Sequence, residues 1–155
     1  TDGYVGYEGL PAPLPLPPAG GESLQDLRSA REALDRGAFD LVQPDVSICG
    51  GIAELLAIGG LARLAAAGVH PPACNGALGL AASLQVLAAL PDPTRLPTDA
   101  PLLEVDFGPN PTRTDLLVEP LPFQEGWFAI PSGPGLGVEV DEAFVRRFDR
   151  AGQVA

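Results

Sequence analysis

Residues 39–68 read FDLVQPDVSICGGIAELLAIGGLARLAAAG and combine a short strand, a glycine turn and a helix. The apolar residues of 39–43 predict a strand that Pro44 ends, because proline has no amide hydrogen to donate to a neighbouring strand. The glycines of 49–51 predict a turn, and the spacing of the apolar residues after them predicts a helix over 52–67. Apolar side chains fall on more than one face of that helix, which indicates that it packs between a sheet and neighbouring helices.

The same alternation of strand and helix continues on both sides of this stretch. Upstream, we predict a short strand followed by a helix that Ser23 opens, with Ser23-Leu24-Gln25-Asp26 resembling a capping box, and that Gly37 ends. Downstream, we predict a very short strand, a helix ended by Pro91 and another strand, over 69–74, 77–90 and 102–106. Strands that alternate with helices of this length indicate an α/β fold with a parallel sheet and right-handed crossovers.

The pattern changes from about residue 116 onward. Residues 116–119 and 127–131 have the character of two short antiparallel strands joined at Glu125-Gly126. Residues 141–150 predict a terminal amphipathic helix that turns Phe144, Val145 and Phe148 inward and three arginines outward.

Composition narrows the possible functions. The 155 residues include 20 acidic residues against 9 basic ones, and the net charge of −11 argues against nucleic acid or an anionic membrane as partner. No apolar run reaches the roughly 18 residues of a membrane span, and the start shows no signal peptide. Because two cysteines 25 positions apart do not make a disulfide framework, we expect reduced thiols and a cytoplasmic protein.

Three acidic residues fall within or just after the predicted strands. Glu22, Asp45 and Glu104 are separated by 23 and 59 positions, and the longer gap contains one extra strand–helix unit. In a (β/α) barrel the carboxyl ends of the strands face one mouth, where active sites lie. We therefore expect these three carboxylates around one rim.

Five segments together resemble a known family. They are PPAGGESL (17–24), VQPDVSICGGI (42–52), NGALGLAA (75–82), LLEVD (102–106) and IPSGPGLGV (130–138). In this order and spacing they resemble the C-terminal half of the mandelate racemase/muconate lactonizing enzyme branch of the enolase superfamily. The resemblance implies the last part of a (β/α)7β barrel over 14–115, preceded by the end of a helix or loop over 1–13. It also implies that 116–155 return to pack on a capping domain.

The resemblance implies a specific chemistry. In that family a Mg²⁺ ion held by three strand-end carboxylates stabilises the enediolate formed when a base removes the proton α to a substrate carboxylate. A carbon acid of this kind is so weak that a base needs help from a divalent cation, and Mg²⁺ favours carboxylate oxygens. An acid-sugar dehydratase or a racemase, acting on a small carboxylate and assembled as a homo-oligomer, is the expected protein.

The resemblance assigns roles to individual residues, and each has a structural alternative. Glu22 matches the third metal-binding carboxylate, and otherwise caps the following helix. Asp45 matches the residue that orients a catalytic histidine, and otherwise forms an Asx turn after a proline. Glu104 matches the acidic residue that binds the substrate carboxylate or enediolate, and otherwise is a solvated strand end.

The general base is the open question. The family pattern around Asn75 and Gly76 puts Pro72 where the base is expected, whereas His70 lies two residues earlier. Either His70 is the base of a dyad with Asp45, or the base is absent. The first two metal carboxylates and a lysine base of the family should lie upstream of residue 1.

Two further interpretations of the sequence stay open. The chain could be a catalytically inactive fragment or scaffold that contributes packing or assembly contacts. The segment PAPLPLPP (11–18) is typical of polyproline II, and is either an SH3-type ligand or a stiff loop before the first strand.

Overall fold

The computed structural model describes Tyr4, Gly6, Tyr7 and residues 16–91 and 101–148. The first part of the chain consists of three strand–helix units, as the sequence predicts. Their elements are β1 (Ala19–Gly20), α1 (Leu27–Asp35), β2 (Leu41–Val42), α2 (Ile52–Leu64), β3 (Gly68–Val69) and α3 (Ala77–Ala89). The elements that follow are α4 (Pro111–Thr114), β4 (Phe123–Gln124), β5 (Trp127–Phe128) and α5 (Glu142–Arg147).

The strands of the three units form one parallel sheet in the order β1-β2-β3. A fourth parallel neighbour is added where Pro72 pairs with Glu104. There the Ala73 amide donates to the Glu104 carbonyl at 2.8 Å, and the Glu104 amide donates to the Pro71 carbonyl at 3.3 Å. Four successive parallel segments therefore lie side by side in chain order, and the predicted parallel sheet is confirmed. The strands are shorter than predicted, because regular pairing covers two residues in each.

The helices pack on one face of this sheet. Helix α2 contacts both α1 and α3, and the core between helices and sheet includes Val42, Leu55, Ile58 and Val86, each fully buried. One glycine of the pair Gly59-Gly60 in α2 allows a close contact between helices. A Cβ on Gly59 would lie 2.5 Å from Leu90 Cδ2, so the absence of a side chain allows α3 to end against α2.

Two glycines shape the junctions between strands and helices. Gly51 and Gly76 are the N-cap residues of α2 and α3, with φ of 100° and 114°. L-residues with a Cβ rarely adopt these angles. At Gly76 a Cβ would also lie 2.9 Å from Thr112 Oγ1, in the segment that forms α4.

The predicted start of the first helix is wrong. Helix α1 begins at Leu27, and its capping box is formed by Asp26 and Ser29 instead of Ser23 and Asp26. The Ser29 amide donates to Asp26 Oδ1 at 2.7 Å, and the Asp26 amide donates to Ser29 Oγ at 3.2 Å. Ser23 lies in a turn closer to the sheet, which is why the sequence pattern placed the helix too early.

The C-terminal segment pairs differently from the prediction. The turn at Glu125-Gly126 is confirmed, but it joins β4 to β5. Leu117, in the segment predicted to pair with 127–131, forms an isolated antiparallel bridge with Val140 instead. Segment 131–136 packs on α3, because the Gln85 side-chain amide donates to the carbonyls of Pro131 and Leu136 at 2.7 and 3.3 Å.

The terminal helix α5 is confirmed, but its inward face is narrower than predicted. Phe144 is buried, whereas Val145 and Phe148 are exposed. Among the helices of the described residues, none is both long and apolar enough to cross a membrane. The domain boundaries stay predictions, and most of the segment 1–13 and residues 11–15 of the proline-rich stretch lie outside the described residues.

Candidate functional site

A cavity of about 510 Å³ opens where the parallel strands end. Its lining comes from the end of β1, from residues that follow β1 and β2, and from the two residues, Pro72 and Glu104, that pair in the fourth parallel segment. They are Gly20, Gly21, Glu22, Ser23, Gln43, Ile48, Pro72 and Glu104. The structure therefore brings two of the three expected carboxylates, Glu22 and Glu104, to one rim.

Glu22 lies two residues beyond β1, at the rim, with an exposed side chain. The alternative role of Glu22 as a helix cap is wrong, because other carboxylates serve the N-terminus of α1. Asp26 accepts from the Ser29 amide, and Glu54 Oε1 accepts from the Leu27 amide at 2.6 Å. Glu22 thus lines the cavity and is not the cap of α1.

Glu104 is held at both its backbone and its side chain. Its backbone pairs with the segment around Pro72, as described above. Its Oε2 accepts a hydrogen bond from Gln43 Nε2 at 2.6 Å. Sequence reasoning missed Gln43, although its position directly after β2 and before Pro44 places it at the rim.

Asp45 is almost completely buried, and among the described residues the cavity lining does not include it. Its Oδ1 accepts from the Ser47 amide at 2.7 Å and from Ser47 Oγ at 2.6 Å, which is the geometry of an Asx turn. Its Oδ2 accepts from Asn75 Nδ2, and Asn75 Nδ2 also donates to Ser47 Oγ at 2.9 Å. Asp45 therefore links the loop after β2 to the loop after β3.

His70 follows β3 directly and is buried. Its backbone amide donates to the Val42 carbonyl at 3.0 Å, and burial lowers the pKa of its imidazole below the ordinary value of 6.5. Within the described residues His70 does not line the cavity, whereas Pro72 does. The catalytic role of His70 stays a prediction, and the residue that faces the cavity from this segment has no titratable group.

Three carboxylates lie close to the thiol of Cys74 at this end of the sheet. The pKa of Cys74 is raised, first by burial and then by the charges of Glu22, Glu104 and Asp106. The pKa of Asp106 is itself lowered, mainly by the hydrogen bond from the Gly108 amide. The negative charge of these three carboxylates favours the binding of cations at this end of the sheet. It repels an anion unless a cation binds together with that anion.

The residues of the rim fit part of a Mg²⁺ site. Glu22 offers exposed carboxylate oxygens, which are the ligands that Mg²⁺ prefers. The described part of the chain contains no group of three His, Cys, Asp or Glu side chains arranged to hold a metal ion. A complete site would thus need donors beyond the residues described.

Comparisons with known proteins give one consistent family. The sequence pattern of the family described as enolase C-terminal domain-like matches residues 1–144. The chain is 38% identical over 143 residues to a D-galactarolactone cycloisomerase from Agrobacterium fabrum, covering 92% of this chain and 38% of that protein. It is 32% identical over 145 residues to a D-galactonate dehydratase from Verminephrobacter eiseniae, covering 90% of this chain and 36% of that protein.

A solved structure agrees with these relatives. The 3,6-anhydro-D-galactonate cycloisomerase from Zobellia galactanivorans superposes with a TM-score of 0.81 at 26% identity, covering 94% of this chain and 39% of that one. The chain therefore spans less than two-fifths of the length of each of these relatives.

Proposed function

Because this chain belongs to the enolase C-terminal domain-like family of the enolase superfamily, we propose that it is the C-terminal catalytic part of an enzyme that removes the proton α to a carboxylate. The substrate would be an acid sugar or its lactone, and the product would come from cycloisomerisation or dehydration. The observation that carries this proposal is that Glu22 and Glu104 line the same cavity. Glu22 follows β1 and Glu104 lies in the fourth parallel segment, with β2 and β3 between them.

In this proposal Glu22 is one ligand of a bound Mg²⁺. The chemistry that Mg²⁺ would supply is partial neutralisation of the charge that develops on the substrate carboxylate during proton abstraction. Glu22 suits this role because its carboxylate is exposed at the rim and is not used to cap α1. The further ligands would come from sequence that precedes residue 1 in longer relatives.

Glu104 would contact the substrate. One of its oxygens is occupied by Gln43, and the other is available to accept a hydrogen bond from a substrate hydroxyl or from a protonated carboxylate or enediol oxygen. A donor on the substrate is needed because two negative oxygens would otherwise repel. This requirement favours hydroxylated acids over simple carboxylates.

The base is proposed to lie outside the described residues. Pro72 occupies the cavity-facing position after β3 and cannot take a proton. His70 is buried and is not among the described residues that line the cavity, and burial lowers the pKa of its imidazole. A role for His70 would require access that the buried side chain does not offer here.

One observation favours a second candidate function, an inactive scaffold. The cavity lining combines a proline at the expected base position with two carboxylates, Glu22 and Glu104, and the described residues contain no group of three side chains that could hold a metal ion. If the full-length protein also lacks a base and further metal ligands, it would keep the fold and its assembly contacts but would not turn over a substrate.

The test is a deuterium exchange assay on the protein encoded by the complete gene. The protein is incubated with Mg²⁺ in D₂O with D-galactarolactone, D-galactonate, arabinonate and 3,6-anhydro-D-galactonate, and loss of the α-proton signal is followed by NMR. We expect exchange or turnover with at least one of them, and Glu22→Gln should reduce it by about 100-fold or more. Glu119→Gln, an exposed change far from the rim in sequence, is the matched control and should retain activity.

Metal binding is measured separately. Mg²⁺ at millimolar concentration should raise the melting temperature of the wild type and of Glu119→Gln, but not that of Glu22→Gln. A Mg²⁺-induced shift of the same size in Glu22→Gln contradicts the ligand assignment. Absence of both exchange and a Mg²⁺ shift in the wild type favours the scaffold.

A further inference from the structure

We propose that Gln43 is the positioning residue that fixes the carboxylate of Glu104 at the rim, an inference that rests on the proposed function. The juxtaposition behind it is a 2.6 Å hydrogen bond from Gln43 Nε2 to Glu104 Oε2 between two residues that both line the cavity. The two residues are 61 positions apart in the chain. The bond therefore spans the rim from the end of β2 to the fourth parallel segment.

Both ends of this bond start from fixed backbone. The Gln43 amide donates to the Gly20 carbonyl at 2.8 Å, and Pro44 restricts the backbone of the residue before it. The Glu104 amide and carbonyl are both paired with the neighbouring segment. With both backbones held, the side-chain bond selects one orientation of a carboxylate whose terminal torsion is otherwise broad.

The chemistry of the pair gives the contact a direction. The primary amide of Gln43 donates, and the carboxylate of Glu104 accepts through Oε2. Oε1 is then the oxygen left to meet a substrate. A carboxylate rotated by the loss of the amide would present its oxygens at other angles, and misplacement of a contacting group by about 1 Å can cost up to about 100-fold in rate.

Gln43 contributes no charge of its own, which distinguishes it from a lysine or arginine in the same place. A cation there would form an ion pair with Glu104 and neutralise part of the negative charge at the rim. An amide orients the carboxylate and leaves that charge in place. The choice of a neutral donor thus suits a rim that has to attract a divalent cation.

Substitutions of Gln43 test the proposal in the full-length enzyme. Gln43→Leu removes the donor at similar volume, and Gln43→Glu keeps the shape but replaces the donor with an acceptor. We expect each to lower kcat by about 5- to 30-fold with KM changed by less than about 3-fold, and Gln43→Glu to be the worse of the two. Gln124→Leu and Gln124→Glu, at an exposed glutamine on β4, are matched controls that should behave as wild type.

A packing role for Gln43 gives a different result. If only its shape mattered, Gln43→Glu would retain wild-type kcat while Gln43→Leu lost it. Unchanged kcat in both variants, or a loss in KM alone, likewise overturns the positioning role.

A spectroscopic readout keeps the test independent of turnover. In the ¹H–¹⁵N NMR spectrum of labelled protein, each side-chain amide gives a pair of signals. The pair that is missing from the spectrum of Gln43→Leu belongs to Gln43. That pair should move in Glu104→Ala and in Glu104→Gln, while the pair of Gln124 stays in place. If the wild type turns over no substrate of the panel, the proposed function fails, and this shift alone decides whether Gln43 holds Glu104. An unmoved Gln43 pair in both variants overturns the contact.

Discussion

Replacement of Asp45 by asparagine tests the link between the loops that follow β2 and β3. Asp45 is 1% exposed, and its two oxygens accept from the Ser47 amide, Ser47 Oγ and Asn75 Nδ2. In Asp45→Asn the Asx turn can persist through the remaining carbonyl oxygen. The new amide group, however, faces the amide group of Asn75, so two donors meet where a donor and an acceptor were paired.

The expected cost follows from these contacts. Loss of a hydrogen bond to a charged acceptor costs roughly 1.5–3 kcal/mol, and a buried donor left unpaired moves the cost toward the upper part of that range. We expect Asp45→Asn to lower the free energy of unfolding by about 2–3 kcal/mol. Asp45→Ala, which also removes the acceptor of the Ser47 amide, should cost about 3–5 kcal/mol, a large part of a typical stability of about 5–15 kcal/mol.

A reciprocal exchange sharpens the prediction. Combining Asp45→Asn with Asn75→Asp restores a donor–acceptor pair and moves the charge to position 75, whose side chain is exposed. The double variant should recover at least half of the stability lost in Asp45→Asn, which gives a coupling free energy of about 1 kcal/mol or more.

Urea denaturation of the full-length protein measures these effects. The free energies are compared at constant m-value, so that a shift in midpoint reports stability alone. Asp40→Asn, an exposed change just before β2, is the matched control and should be within about 0.5 kcal/mol of wild type. Additive losses in the double variant, or an Asp45→Asn protein as stable as wild type, would refute the link.

Three further predictions concern other parts of the molecule. Burial lowers the pKa of His70 in the folded protein, so the unfolded chain binds the proton at a higher pH than the folded chain does. The free energy of unfolding should therefore fall as the pH drops below about 6.5. In His70→Asn, the urea midpoints at pH 8 and pH 5.5 should differ less than in wild type. Gly60→Ala should stabilise the protein by about 0.5–1 kcal/mol, because no atom lies within 4 Å of the added Cβ. Gly59→Ala should be at least about 1 kcal/mol less stable than Gly60→Ala, because its added Cβ would lie 2.5 Å from Leu90 Cδ2. Equal urea midpoints for the two variants would contradict the packing described for α2. Because the charge of Glu22 helps to raise the pKa of Cys74, Glu22→Gln should increase the rate of Cys74 alkylation by iodoacetamide at pH 8, and a slower reaction would place that carboxylate elsewhere.

The sequence predicted the elements whose signals are local. The apolar spacing after Gly51 and Gly76 fixes α2 and α3 to within a few residues, because a helical face repeats over several turns and tolerates small errors. The start of α1 was wrong because two overlapping four-residue patterns both resemble a capping box, and only the fold selects Asp26. The parallel sheet followed from the alternation, which by itself does not specify the order of the strands.

The site was predictable in part for a related reason. Glu22 and Glu104 were expected at one rim, since each follows or lies in a parallel strand segment. The orientation of single side chains was not predictable, because neighbouring residues of an extended segment face opposite ways and a shift by one residue reverses them. This is why the sequence left His70 and Pro72 as rivals, and why the contact between Gln43 and Glu104 across 61 residues went unseen.

The glycines at the starts of α2 and α3 suggest how this scaffold can be re-engineered. Each marks the downstream end of a loop that begins at a strand end, and the hydrogen bond between Asp45 and Asn75 joins these two loops, 43–50 and 70–75. An exchange of the rim therefore requires both segments to be grafted together from one other member of the superfamily, so that positions 45 and 75 keep partners that match. Glycine has to stay at positions 51 and 76, because a residue with a Cβ is strained at φ values near 100°.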